Sequence, residues 1–119
     1  METNVIIHGD CLEIMKSIPN ESIDAVLTDP PYGVTQDDDD YVATTFLKDA
    51  YRVLKPNAAL MMFVGQRTLR EFWNEAERVG FVWLNTIVWH YKNTFKRERR
   101  RFALQYDPIL YFFQRRLCS

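Results

Sequence analysis

Asp29-Pro30-Pro31-Tyr32 joins a carboxylate, two rigid prolines and an aromatic ring in one short turn. The exocyclic amine of a nucleobase is a group on which such a turn could act. Its lone pair is delocalised into the ring, which makes the amine a poor nucleophile. A carboxylate and a backbone carbonyl that accept its two N–H bonds draw the nitrogen towards tetrahedral geometry and localise that pair. Prolines lock the backbone, so the carbonyls beside them are aimed before the reaction begins. A neighbouring ring can stack on the base for about 1–3 kcal/mol, once the base has left the duplex. The plainer reading is a proline-stiffened turn that carries a surface tyrosine.

Two further segments carry candidate chemistry. In His8-Gly9-Asp10-Cys11, Asp10 is placed either to meet a ligand or to cap the helix that follows, and one carboxylate can do both. Lys92, Lys96, Arg97, Arg99, Arg100 and Arg101 place six cations within ten residues, opposed only by Glu98 and interleaved with Phe95. Flanked by Tyr91 and Phe102, that segment suits salt-dependent phosphate contact with stacking; taken alone it also reads as a solvated loop between strands. Asp37 to Asp40 read as a solvated acidic loop. His8 and His90 lack ligand partners at useful spacing, so no metal site is expected. Cys11 and Cys118 form neither a metal cluster nor a disulfide framework, which points to reduced thiols in cytoplasm.

These residues need elements to position them. Val5-Ile6-Ile7, Ile23 to Thr28, Leu60 to Val64, Phe81 to Trp89 and Ile109 to Phe113 read as buried strands. Cys11 to Ile18 reads as a short helix. Val42, Phe46, Leu47, Ala50 and Leu54 recur at helical spacing up to Lys55-Pro56-Asn57. Leu69, Phe72, Trp73, Ala76 and Val79 form a second stripe, closed by Gly80 as C-cap. Alternation of helices with apolar strands predicts an α/β sheet covered on both faces. Sites in such sheets lie beyond the carboxyl ends of parallel strands, where the Asp10 and Asp29 turns fall.

Gly9-Asp10-Cys11-Leu12 and Asp24-Ala25-Val26-Leu27-Thr28-Asp29-Pro30-Pro31-Tyr32-Gly33 resemble the amino-exocyclic DNA methyltransferases with an Asp-Pro-Pro-Tyr block near the N-terminus. So do Tyr51-Arg52-Val53-Leu54-Lys55-Pro56, Thr86-Ile87-Val88-Trp89 and Tyr106-Asp107-Pro108-Ile109-Leu110-Tyr111-Phe112. The resemblance implies methyl transfer from S-adenosylmethionine to an amino nitrogen of a DNA base. It assigns the catalytic turn to Asp29, Pro30, Pro31 and Tyr32, and the adenine end of the cofactor to Asp10 and Cys11. Aspartate at the first position of the turn implies adenine N6 rather than cytosine N4. Beside that motif, the basic segment reads as a DNA contact.

The family's Gly-rich turn and its ribose-binding acidic residue have no counterpart here, since Gly9, Gly33, Gly65 and Gly80 stand apart. The expectation is therefore one catalytic domain over 1–119: a Rossmann-like methyltransferase sheet that is partial, without the equivalents of strands 1 and 2. The Val5–Ile7 strand would then pair with the Ile23–Thr28 strand, or complete its sheet with a partner, as a homodimer or with a second chain. Two other readings stay open: a truncated or split half that is inactive without its partner, and a non-enzymatic DNA-binding remnant.

Composition narrows the field. With 119 residues, 47% hydrophobic, and a net charge of −1, the chain suits one ordered domain. No apolar run is long enough for a membrane span, and no basic-then-apolar leader opens the chain. The charge is uneven: residues 1–62 carry four basic against eleven acidic side chains, and residues 63–119 eleven against five. A polyanionic partner would meet the second part.

Overall fold

The computed structural model describes residues 1–31, 44–91 and 106–115. Three helices, α1 (Cys11–Met15), α2 (Phe46–Val53) and α3 (Leu69–Val79), alternate with four strands, β1 (Ile23–Thr28), β2 (Leu54–Phe63), β3 (Phe81–His90) and β4 (Tyr106–Gln114). The strands form one sheet in the order β1-β2-β4-β3. β1 runs parallel to β2, and β4 runs antiparallel to both β2 and β3. β1, β2 and β3 therefore all leave the sheet at the edge where β4 enters it.

The apolar periodicity accounts for the core. Leu60, Met62 and Val64 of β2 and its end, Leu110 and Phe112 of β4, and Leu47, Ala50, Phe72 and Ala76 of the two longer helices are fully buried. Alternate residues of a strand point to opposite faces, so α2 and α3 cover the face that carries Leu60 and Phe112. Trp73 of α3 confirms this placement, lying 4.9 Å from the Trp83 ring and 6.0 Å from the Phe112 ring. α3 ends at Gly80, whose φ of +127° and approach to Tyr51 exclude a side chain: a Cβ there would stand 3.0 Å from Tyr51 Cζ.

Several boundaries differ from the sequence expectation. Lys55-Pro56-Asn57 does not separate α2 from a later strand. It is a bulge inside β2, between the pairings Ile23↔Leu54 and Ala25↔Ala59, with Asn57 at φ +65° and Lys55 paired to Asp24 at 2.7 Å. Val5-Ile6-Ile7 is not a strand; β1 pairs with β2 alone, and Ile6 is fully exposed at 101%. An apolar run forms a strand only where another strand offers its N–H and C=O groups, and among the described residues no such neighbour lies beside it. The expected cover on both faces is also absent among the described residues. Opposite the helices, the face of Leu27, Met61, Phe63, Tyr111, Phe113, Ile87 and Trp89 is open, with Leu27 71% and Trp89 59% exposed.

Arg52 ties the end of α1 to the body, alongside the packing of Met15 on the core. Arg52 Nη2 donates to the Met15 carbonyl at 2.6 Å, and Nη1 donates to the Ile18 carbonyl and to Asn20 Oδ1, both at 2.8 Å. Arg52→Ala should lower unfolding free energy by about 2 kcal/mol, measured by urea denaturation. It should also speed amide exchange in α1 while leaving β2 and β4 protected.

Candidate active site

β1 delivers the Asp29 turn to the carboxyl end of the sheet. Its last paired residue, Thr28, lies opposite Met62 of β2, and the chain then leaves the ladder at Asp29-Pro30-Pro31. The Pro30 ring is buried whereas Asp29 and Pro31 are exposed. A buried, φ-locked proline anchors the turn and leaves the carboxylate before it presented at the surface. Tyr32 lies outside the described residues.

β4 brings a second carboxylate to the same edge. Residues paired across strands share a face, and Trp89↔Asp107, Ile87↔Ile109 and Phe63↔Ile109 put Asp107 on the open face with Trp89 and Phe63. Leu27 lies on that face too, opposite Met61, and Asp29 follows it two residues later. Burial, and then the negative charge of Asp29, hold the Asp107 carboxyl above the usual aspartate range. Burial, and then the charge of Asp107, push the Tyr91 phenol up. Phe63 and Trp89 flank the group, their rings 6.3 Å apart and inclined at 65°. Asp107 carries no role in the sequence reading. The available signal was a second Asp-Pro step, Asp107-Pro108, at the start of an apolar strand.

Asp10 has the N-cap role allowed for it, its Oδ1 accepting from Leu12 N–H at 2.9 Å at the start of the five-residue α1. It and Cys11 are set on exposed surface around that turn, Asp10 exposed and the Cys11 thiol free. An exposed carboxylate beside an exposed thiol suits the amine or hydroxyl groups of an adenosine. The described residues offer no Gly-rich turn for the other end of such a ligand. Lys92, Lys96, Arg97, Arg99, Arg100 and Arg101 lie outside the described residues. None of the described helices is long and apolar enough to cross a membrane.

Comparison with known proteins decides the family. A family model described as DNA methylase matches residues 23–116, from the first residue of β1 to just beyond β4. The chain belongs to the N6/N4 DNA methylase family. Members of this family use S-adenosylmethionine as methyl donor. The DNA adenine methyltransferase YhdJ of Escherichia coli K12 is 28% identical over 92% of this chain and 40% of its own. Among solved structures, the M1.HpyAVI complex with S-adenosylmethionine superimposes with a TM-score of 0.70 at 23% identity, over 90% of this chain and 53% of the other. The cytosine-N4-specific PvuII DNA methyltransferase gives 0.71 at 19% identity, over 89% and 47%. The chain thus shares the partial Rossmann-like sheet expected from sequence. It spans about 40% of the length of the YhdJ relative and about half of the solved chains.

The electrostatic link between the two aspartates is measurable. Asp29→Asn should lower the Asp107 pKa without returning it to the ordinary value, because burial is the larger cause; carbon-detected NMR titration of the carboxyls reads this directly. The sign for stability follows. A carboxyl whose pKa is raised on folding binds its proton more tightly in the native state, so it lowers stability as pH rises through the interval between its unfolded and folded values. Asp107→Asn should therefore flatten that fall, seen as a smaller drop in urea midpoint between acid and neutral pH.

Proposed function

We propose that this methylase contributes the base-modifying part of a DNA adenine-N6 methyltransferase. The observation that carries the reading is the placement of Asp29 and Pro30: an exposed carboxylate fixed by a buried proline, at the carboxyl end of a parallel strand, in a chain of this family. Adenine is favoured by aspartate at position 29 and by the adenine methyltransferase named among its relatives. The fold is equally compatible with N4 chemistry, as its similarity to a cytosine-N4 enzyme demonstrates.

S-adenosylmethionine, when bound, supplies an electrophilic methyl group, and Asp10 and Cys11 would hold its adenine end. The chain's own residues prepare the acceptor. Asp29 and the Pro30 carbonyl take the two N–H bonds of a flipped base, Pro31 stiffens the turn, and Tyr32 stacks on the ring. Lys92, Lys96, Arg97, Arg99, Arg100 and Arg101 would meet backbone phosphates next to that base.

A second reading rests on the short span relative to the relatives and on the open apolar face. Under it, the chain is a half-domain that methylates only when joined to the polypeptide that completes its sheet. Tritiated-methyl transfer to unmethylated DNA, with and without candidate partner chains, separates the two. In whichever assembly is active, Asp29→Ala should cut transfer by roughly two orders of magnitude or more with the circular-dichroism spectrum unchanged. Retained transfer in that variant overturns the assignment. Replacing Arg99, Arg100 and Arg101 by alanine should weaken DNA binding and make it less dependent on salt, leaving the Asp29 site intact; a salt-titrated gel shift checks this.

A further inference from the structure

Methyl transfer to an amine creates charge where there was none. As the N–C bond forms and the donor's C–S bond breaks, the electron pair stays on sulfur, and the nitrogen takes up the positive charge that the sulfonium loses. It becomes neutral again only when its proton departs to solvent. A site that stabilises the cationic amine more than the neutral one therefore accelerates the step.

We propose that Asp107 is the second carboxylate of this site, a positioning residue whose charge, across β2 from Asp29 at the carboxyl end of the sheet, favours the cationic amine over the neutral one. The inference rests on the base-modifying reading above and extends it to a residue on another strand.

Three observations fix Asp107 for this purpose. Its backbone is anchored on both sides: Gln66 Nε2 donates to the Tyr106 carbonyl at 2.8 Å, and Val64 N–H donates to the Pro108 carbonyl at 3.1 Å. Pro108 is itself fully buried and fixes φ at the following position. Strand order does the rest, because among the described residues β4, one strand removed from β1, is the strand that enters the sheet where β1 leaves it. Asp107 is half-buried opposite Trp89, and that partial loss of solvent strengthens its field. The negative charge of Asp29 is the second cause, after burial, of the raised Asp107 pKa, and a cation near the two carboxylates would offset it.

The test needs no turnover. The wild-type chain is titrated by NMR with 2′-deoxyadenosine, neutral near pH 7, and with 1-methyl-2′-deoxyadenosine, cationic there and with charge shared onto its exocyclic nitrogen. The ratio of the two affinities is the readout, so steric cost of the added methyl cancels between variants. Asp107→Asn, nearly the same shape, should reduce the relative preference for the cation by about fivefold, while binding of the neutral nucleoside changes little. Asp107→Glu should restore part of that preference. Asp29→Asn should weaken both nucleosides. An unchanged ratio in Asp107→Asn, or an equal loss for both nucleosides, overturns the inference while the Asp29 reading stands. If the wild-type chain binds neither nucleoside, or Asp29→Asn leaves both unaffected, the base-site reading itself fails and the role of Asp107 falls with it.

Discussion

Everything in this fold turns on residues 51–54, where α2 passes into β2 without a loop. A helix end leaves carbonyls without intrahelical partners, and a junction this abrupt must satisfy them from outside. The buried Gln114 amide donates to the carbonyls of Tyr51 and Leu54, both at 3.0 Å. Backbone N–H groups of Glu21 and Ser22 donate to the carbonyls of Arg52 and Val53 at 3.0 and 2.8 Å. Tyr51 donates through its hydroxyl to the Arg115 carbonyl at 2.7 Å, and its ring meets Phe81 edge-on at 5.1 Å, against Gly80. One short segment thus ties α1, β1, α2, β2, β4 and the α3–β3 turn together.

The consequence for the site is a matter of register. The bonds from Glu21 and Ser22 start β1 at a fixed point along β2, and the bulge at Lys55-Pro56-Asn57 absorbs the mismatch before regular pairing begins at Ala25↔Ala59. Because successive side chains alternate between faces, a slip of one residue would turn Asp29 to the other side of the sheet. Gln114 does the same for β4 from its far end, and thereby sets where Asp107 emerges. The two aspartates meet at one edge because a distant junction measures out both strands.

The open sheet face gives the energetic counterpart. Helices cover one side, so apolar strands that read as buried on both faces are buried on one among the described residues. Leu27, Ile87 and Trp89 leave apolar surface across the open face, in keeping with a chain that spans about 40% of the length of its YhdJ relative. Val5-Ile6-Ile7 follows the same logic: its composition suits a strand, and among the described residues it has no neighbour to pair with.

The sequence by itself determined local elements and the composition of the Asp29 turn. The spacing of Leu69, Phe72, Trp73, Ala76 and Val79, the stop at Gly80, and the run from Ile23 to Thr28 ending in consecutive prolines each state their structure through sterics and periodicity within a few residues. Pairing is not local. Whether Val5–Ile7 is a strand, whether Pro56 breaks an element or bulges it, and which side of the sheet is covered depend on partners far along the chain. Only the tertiary structure placed Asp107 and Asp29 at the same edge of the sheet. That placement follows from a strand order, β1-β2-β4-β3, that no window of sequence encodes, because hydrogen-bonded ladders are specified jointly by every strand that takes part.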